Sequence, residues 1–496
     1  MVEVLFVPSH NSLWDTWLFE ENGLYHLFHL LKKKGLRSHA INHAVSEDLL
    51  HWKEAGLAIE RGYNGEWDDG PLMTGTLFKN EGIYYMFYGA KRNAIQRMGV
   101  AISEDLLTWR KIPRHVLEPQ GEWYETSLLD SSISSVAWRD PCIVRTEEGD
   151  FHMFFCARSR TGNWTGRGAI GHAISRDLIE WCVQPPVYVS DRYGFLETPD
   201  VFEMNGRWFL IFSCGQWHST RTGDFEYAAS GIRYLVGKSL TGPFHEPSES
   251  SLLGSGDGMF GSYVGRTLPL RGEHESRLFY HHNVFPEKIT NFKSLTGSFS
   301  TPKILKLCGD HLSLQKYDDF DRKIFPNSSK LKREHLAARY PESEATGVQW
   351  IPRDISIEAL SPAGIAGVWF DKSIENGAIR VDISLKEGNG GILFGFEECN
   401  NGFGIILNYC KQRVELQRVF RAEFGLSTSM IQYRPLRLSY FKEHRIELII
   451  VSPFVELYVD NFLILSQPVE GSVAGRLGLL IEGGSGIFSY PNILYK

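Results

Sequence analysis

Long apolar runs are missing from this sequence, and none approaches the ~20 residues needed to cross a bilayer, so no membrane-spanning helix is expected. Its start, MVEVLFVPSHN, has neither a basic leader nor an extended apolar stretch, which points away from secretion and toward a cytoplasmic location. A basic excess is also lacking. With 52 Lys and Arg against 59 Asp and Glu, the net charge of −7 speaks against nucleic acid or an anionic membrane as partner. Cysteine is sparse. The seven residues Cys142, Cys156, Cys182, Cys214, Cys308, Cys399 and Cys410 are odd in number and contain no C-x-x-C pair, so they read as reduced, buried small hydrophobes in a reducing compartment. There is no H-E-x-x-H, no P-loop and no G-x-S-x-G, and His and Cys nowhere show metal-ligand spacing. The doublet His281-His282 would point to opposite faces of a strand. Neither a metal nor a cofactor is expected.

Aromatic residues, in contrast, are plentiful, at 13% of the chain. They recur in order. GLYHLFHL (23–30) leads to HAVSEDLLHW (43–52), and GIYYMFY (82–88) leads to GVAISEDLLTW (99–109). GDFHMFF (149–155) then leads to GHAISRDLIEW (171–181). Fainter copies begin at Gly206 and near Arg277. Each copy has a turn glycine, an alternating aromatic strand, a second strand, and Ser-x-Asp-Leu-x-x-Trp; the period of two belongs to strands. Units of this kind bury both faces only by stacking, which predicts an all-β fold with a five-bladed β-propeller over residues 1–320. The Lys-, Arg- and Glu-rich stretch 321–345 reads as a linker. Strand-like segments separated by Gly and Asn turns resume in 346–496, where a C-terminal β-sandwich is expected.

The first strand of each propeller unit lines the central channel, so acids at its leading end would converge on one pocket. Asp15 stands in WDTW (14–17), Asp140 in WRDP (138–141) and Glu197 in ETPD (197–200), three units offering a carboxylate at the equivalent place. Paired carboxylates flanking a glycosidic bond are the machinery of glycoside hydrolysis. The second unit has MTGT (73–76) there and no acid, while Asp68 and Asp69 stand slightly earlier as loop acids at the pocket rim. Glu197, between Phe195-Leu196 and Thr198-Pro199, has the more apolar local sequence. Trp14, Trp17, Trp164, Trp217 and His218 are candidate sugar platforms, with Thr74 and Arg139 as further substrate contacts.

In this order the motifs resemble those of the glycoside hydrolase family 32 and family 68 clan: invertases, fructanases and levansucrases. WRDP (138–141) is similar to the R-D-P motif and ETPDVF (197–202) to E-C-P-D-x-F, with Thr198 in place of the cysteine. WDTW (14–17) is closer to the W-D-S-W of levansucrases than to the N-D-P-N-G of invertases. MTGT (73–76) is similar to F-S-G-S. The resemblance implies a five-bladed propeller followed, as in family 32, by a β-sandwich. It also implies a retaining mechanism on β-fructofuranosides such as sucrose, fructo-oligosaccharides or difructosides. Asp15 would be the nucleophile, Glu197 the acid/base and Asp140 the transition-state stabiliser. The partner implied is a small saccharide, and a homo-oligomer stays open. Fructosyl transfer, arabinofuranosidase- or xylosidase-type cleavage, and carbohydrate binding without turnover use the same scaffold.

Overall fold

The computed structural model describes residues 5–9, 12–32, 39–129, 133–163, 166–215, 231–254, 261–270, 273, 275–284, 297–342, 346–397, 400–423 and 425–496. They fall into two compact units that part between Leu314 and Gln315. Among the described residues no helix is long and apolar enough to cross a membrane.

The first unit is a propeller. Its first sheet is the meander β1 (Ser12–Glu21), β2 (Leu24–Lys32), β3 (Ala40–Ser46) and β4 (Lys53–Glu60). The second is β5 (Leu72–Asn80), β6 (Ile83–Arg92), β7 (Ile95–Ser103) and β8 (Arg110–Leu117). The third is β9 (Trp138–Arg145), β10 (Phe151–Arg158), β11 (Gly168–Ser175) and β12 (Cys182–Val189). The fourth is β13 (Glu197–Met204), β14 (Arg207–Cys214) and β15 (Gly231–Gly237), with β16 (Phe244–His245) and β17 (Ser251–Gly254) both on β15. A last group follows, in which β18 (Ser262–Pro269) pairs with β19 (Ser276–Val284). On the far side of β19 lie β20 (Gly297–Phe299) and β21 (Lys303–Cys308). The first strands neighbour one another in a circuit, β1 against β5, β5 against β9, β9 against β13, β13 against β18, and β18 against β1. The amide of Phe299 in β20 donates to Phe6 O at 2.9 Å, so the chain start is bonded to the last group.

The Ser-x-Asp-Leu-x-x-Trp repeat acts as a local clasp. Ser46 Oγ accepts from Leu49 N at 2.9 Å, and Asp48 Oδ1 accepts from Leu50 N at 3.0 Å and His51 N at 2.8 Å. Trp52 Nε1 then donates to Leu49 O at 3.1 Å. Ser103 and Asp105, and Ser175 and Asp177, repeat the pattern. The leucine in each clasp is left-handed, with φ of 67° at Leu49, 63° at Leu106 and 67° at Leu178. Such a conformation costs about 1 kcal/mol or more in a non-glycine residue; the side-chain bonds and the burial of all three leucines offset it.

The second unit is a sandwich-like antiparallel sheet. The long strand Gly475–Ser489 pairs with both Ser356–Ile374 and Asn376–Glu397, and the latter also pairs with Glu443–Val451. Its core includes Ile357, Ile383, Ile405, Leu416, Leu448, Leu457, Leu479 and Phe488. The expected linker 321–345 is corrected here. Its described part holds strand Asn327–Lys330, paired with Asn492–Tyr495, and strand Leu336–Tyr340, paired with Ser356–Ile374. Charge density suggested a solvated tether. Backbone pairing holds these strands in the sheet despite their charge, and Ile324, Phe325 and Leu331 anchor the stretch from buried positions. The reading of the cysteines as buried is corrected in part: Cys142, Cys156 and Cys214 are buried, whereas Cys182, Cys308 and Cys410 are exposed.

Candidate active site

At the leading end of every first strand the pairing with the second strand slips. The slip lies between Leu13 and Thr16 in β1, Met73 and Gly75 in β5, and Arg139 and Cys142 in β9. In β13 it lies between Glu197 and Asp200, and in β18 between Tyr263 and Arg266. The first strand carries one extra residue there, the mark of a β-bulge, which re-aims side chains. Asp140, Thr198 and Val264 take left-handed φ values of 61°, 51° and 53° inside these bulges. The register corrects the expectation of equivalence. Asp15 and Asp140 sit within bulges, but Glu197 precedes its own, where β9 carries Arg139 and β18 carries Tyr263.

Asp15 Oδ2 accepts a hydrogen bond from Thr74 Oγ1, while its Oδ1 is sealed from solvent with no hydrogen-bond partner among the described residues. Burial first, and then the Asp140 carboxylate, push Asp15 up to about 7; the Thr74 bond pulls it down, Glu197 pushes it up and Arg139 lowers it. Burial thus outweighs the hydrogen bond that favours the ionised form. Asp140 is buried, accepts from Thr198 N at 3.2 Å and lies 3.3 Å from Arg139 Nε. Burial raises it to about 6, Arg139 opposing and Glu197 adding to the rise.

Arg139 connects the acids. Its Nη2 pairs with Glu197 Oε1, its Nη1 donates to Gln96 Oε1 at 2.9 Å, and its guanidinium carbon lies 4.7 Å from the Phe195 ring centre. On the other side, Tyr263 Oη donates to Glu197 Oε2. Burial, and then the Glu197 charge, raise that phenol well above its usual value, so it remains a donor.

The platforms divide. Trp14 is half-buried, with its ring centre 5.6 Å from His282 and packed near Tyr263 and Val264. Trp17 is corrected to a core residue: it is 1% exposed, its ring lies 6.4 Å from Phe28, and a Cβ on Gly75 would come within 2.9 Å of it. Thr74 and Arg139 are buried beside the acids they bond. Trp164, Trp217 and His218 lie outside the described residues. Asp68, read as a rim acid, is 1% exposed and accepts from Tyr88 Oη at 2.8 Å and Lys111 Nζ at 2.7 Å. Asp69 pairs with Arg92 at 3.1 Å. Both are spent on internal bonds.

Gln96 and Tyr263 were missed in the sequence. Tyr263 could have been found by extending the motif comparison to the faint fifth copy, SYVGR (262–266). Gln96 carries no such signal.

The family model for the glycosyl hydrolases family 32 N-terminal domain matches residues 15–264. A levanase of Bacillus sp. (strain L7) is 29% identical over 234 residues, covering 41% of this chain and 22% of that protein. A sucrose-6-phosphate hydrolase of Vibrio alginolyticus is 24% identical over 230 residues, covering 44% of this chain and 43% of that one. These matches span less than half the length of either relative. Among solved structures, a sucrose-6-phosphate hydrolase from Lactobacillus gasseri shares the fold with a TM-score of 0.71 at 15% identity, over 98% of this chain and 92% of that one. With half of its residues matched by the family model, the chain belongs to glycosyl hydrolase family 32.

Proposed function

We propose that the chain is a retaining β-fructofuranosidase, acting on sucrose, fructo-oligosaccharides or difructosides through a fructosyl-enzyme intermediate. The observation that carries this reading is the mutual electrostatic contact of Asp15, Asp140, Glu197 and Arg139, delivered from β1, β9 and β13. Three carboxyls and one guanidinium packed this closely cannot all be charged without cost, and shared protons are what acid/base chemistry on an acetal needs. The last strand group, β18 to β21, is read as a fifth blade, since its first strand completes the circuit of first strands.

In this reading Asp15 Oδ attacks the anomeric carbon as Glu197 gives its proton to the departing oxygen. The C–O bond to the leaving group breaks as the bond to Asp15 forms. Water then attacks that carbon, Glu197 takes a water proton, and the ester to Asp15 is released. Asp140 accepts hydrogen bonds from furanose hydroxyls and favours the oxocarbenium-like ring. Arg139 holds Asp140 and Glu197 in register, and Thr74 steadies Asp15 as charge returns to it.

Incubation with sucrose and with levan- and inulin-type oligosaccharides tests this, fructose being followed by chromatography and the first-formed anomer by proton NMR. Retained configuration is expected, and Asp15→Ala and Glu197→Ala should lose at least about a thousandfold in kcat. Full activity in either variant, or release of an inverted sugar, removes the assignment.

A further inference from the structure

The β-sandwich unit holds a cleft of its own, of about 750 Å³. Its floor is a bulge. Pairing between Asn376–Glu397 and Gly475–Ser489 slips between Leu393 and Phe396, with Gly395 at φ +66°. A Cβ at Gly475 would stand 2.7 Å from the Gly395 carbonyl carbon, so only glycine lets the two backbones close up there.

One wall comes from strand Arg413–Ala422, on which Arg418 and Phe420, two residues apart, share a face. Phe420 is 38% exposed and stands directly across from Asn401. Arg418 stands across from Phe403, its guanidinium carbon 5.6 Å from that ring centre. The charges are answered locally. Arg418 Nη2 donates to Glu470 O at 2.6 Å and its side chain approaches the Glu470 carboxylate at 4.0 Å, while Arg476 lies 3.8 Å from Asp371.

A concave site of this size offers an open aromatic face with an amide and a planar donor beside it, and Glu397 on its lining, with Glu470 and Asp371, outweighs the two guanidiniums. We propose that the cleft binds a neutral oligosaccharide. The apolar C–H face of a sugar covers Phe420, and its hydroxyls bond Arg418 and Asn401. An anionic saccharide would gain little there, because the carboxylates of Glu397, Glu470 and Asp371 outnumber the two guanidiniums.

The full-length Asp15→Ala chain tests the site without turnover, by calorimetry with inulin-, levan-, malto- and cello-oligosaccharides. At least one of these is expected to bind a site that loses tenfold or more in affinity on Phe420→Ala and on Arg418→Ala. In the otherwise native chain both variants should leave kcat and KM for sucrose unchanged. The proposal is overturned if no neutral oligosaccharide binds in a manner that depends on Phe420 and Arg418, or if only anionic saccharides do. Failure of sucrose turnover would strike the catalytic reading alone, because the binding measurement does not use it.

Discussion

Gln96 Oε1 accepts two hydrogen bonds at once, 2.9 Å from Arg139 Nη1 and 3.0 Å from Trp138 N. One amide from β7 thus fixes both the backbone entering β9 and the guanidinium that touches Asp140 and Glu197. Gln96 is a positioning residue. Gln96→Leu leaves a buried charged donor without its acceptor, a loss of about 1.5–3 kcal/mol where a charged group is involved. The expected result is a ten- to hundredfold fall in kcat/KM for sucrose, partly rescued by Gln96→Glu, which keeps an acceptor oxygen. Equal activity in Gln96→Leu and the native chain would show that Arg139 needs no such anchor.

Thr74 works on the other acid. Its hydroxyl bonds Asp15 and lowers a carboxyl that burial and Asp140 have raised to about 7. Thr74→Val keeps the shape and removes the donor, so the Asp15 carboxyl rises further. If Asp15 must be ionised to attack, the acid limb of the kcat/KM profile belongs to it and moves to higher pH in the variant. A shift of roughly half a unit to one unit is expected, readable from sucrose hydrolysis between pH 4.5 and 8, where one unit is ~1.4 kcal/mol. An acid limb that stays in place would mean that another group sets it.

What the sequence could disclose follows from how local each interaction is. The Ser-x-Asp-Leu-x-x-Trp clasps were legible because each closes within seven residues, as from Ser46 to Trp52. The convergence of Asp15, Asp140 and Glu197 was legible through the repeat, but their unequal places in the bulges were not. A bulge is a property of two paired strands, and one strand read alone does not show it. The same slip defeated the reading of WDTW (14–17). Strict alternation would set Trp14 and Trp17 on opposite faces, and nothing in the motif says which one the core takes; the structure buries Trp17. Gln96 reaches Arg139 across 43 positions from a neighbouring sheet, with no pattern around it to announce the contact.

A carboxyl held up to about 7 also bears on stability. Asp15 has its folded value raised above the ordinary 3.8, so the folded chain binds the proton more tightly than the unfolded chain does. The stability this confers is fully present below about pH 4 and is lost as pH rises through 7. Above that, folding must bury a charge beside Asp140. Asp15→Asn removes the charge and keeps the shape, so its Tm should exceed the native value by a few degrees at pH 8 and match it near pH 4. Thermal melts at the two pH values decide it. A variant less stable at pH 8 would show that the carboxylate is better solvated than its surroundings indicate.

The opposite sign applies to two histidine pairs repeated in the first and third sheets. His26 Nδ1 and His43 Nε2 lie 2.9 Å apart, and so do His152 Nδ1 and His172 Nε2. Burial, reinforced by the neighbouring imidazoles, lowers His43 to about 3 and His172 to about 4, and burial also lowers His26 and His152. These rings are neutral in the fold and charge readily once unfolded. Their contribution is therefore intact above about pH 6.5 and is lost as pH falls toward 4. The second sheet solves the same position differently: Val100 stands across from Phe87 as His43 stands across from Phe28. Copying that solution, His43→Val with His172→Val, removes two groups that resist protonation while keeping apolar contact with the stacked phenylalanines. The Tm of the double variant should fall less steeply between pH 6.5 and 4 than that of the native chain. Parallel curves would assign the acid sensitivity of the propeller to its carboxylates instead.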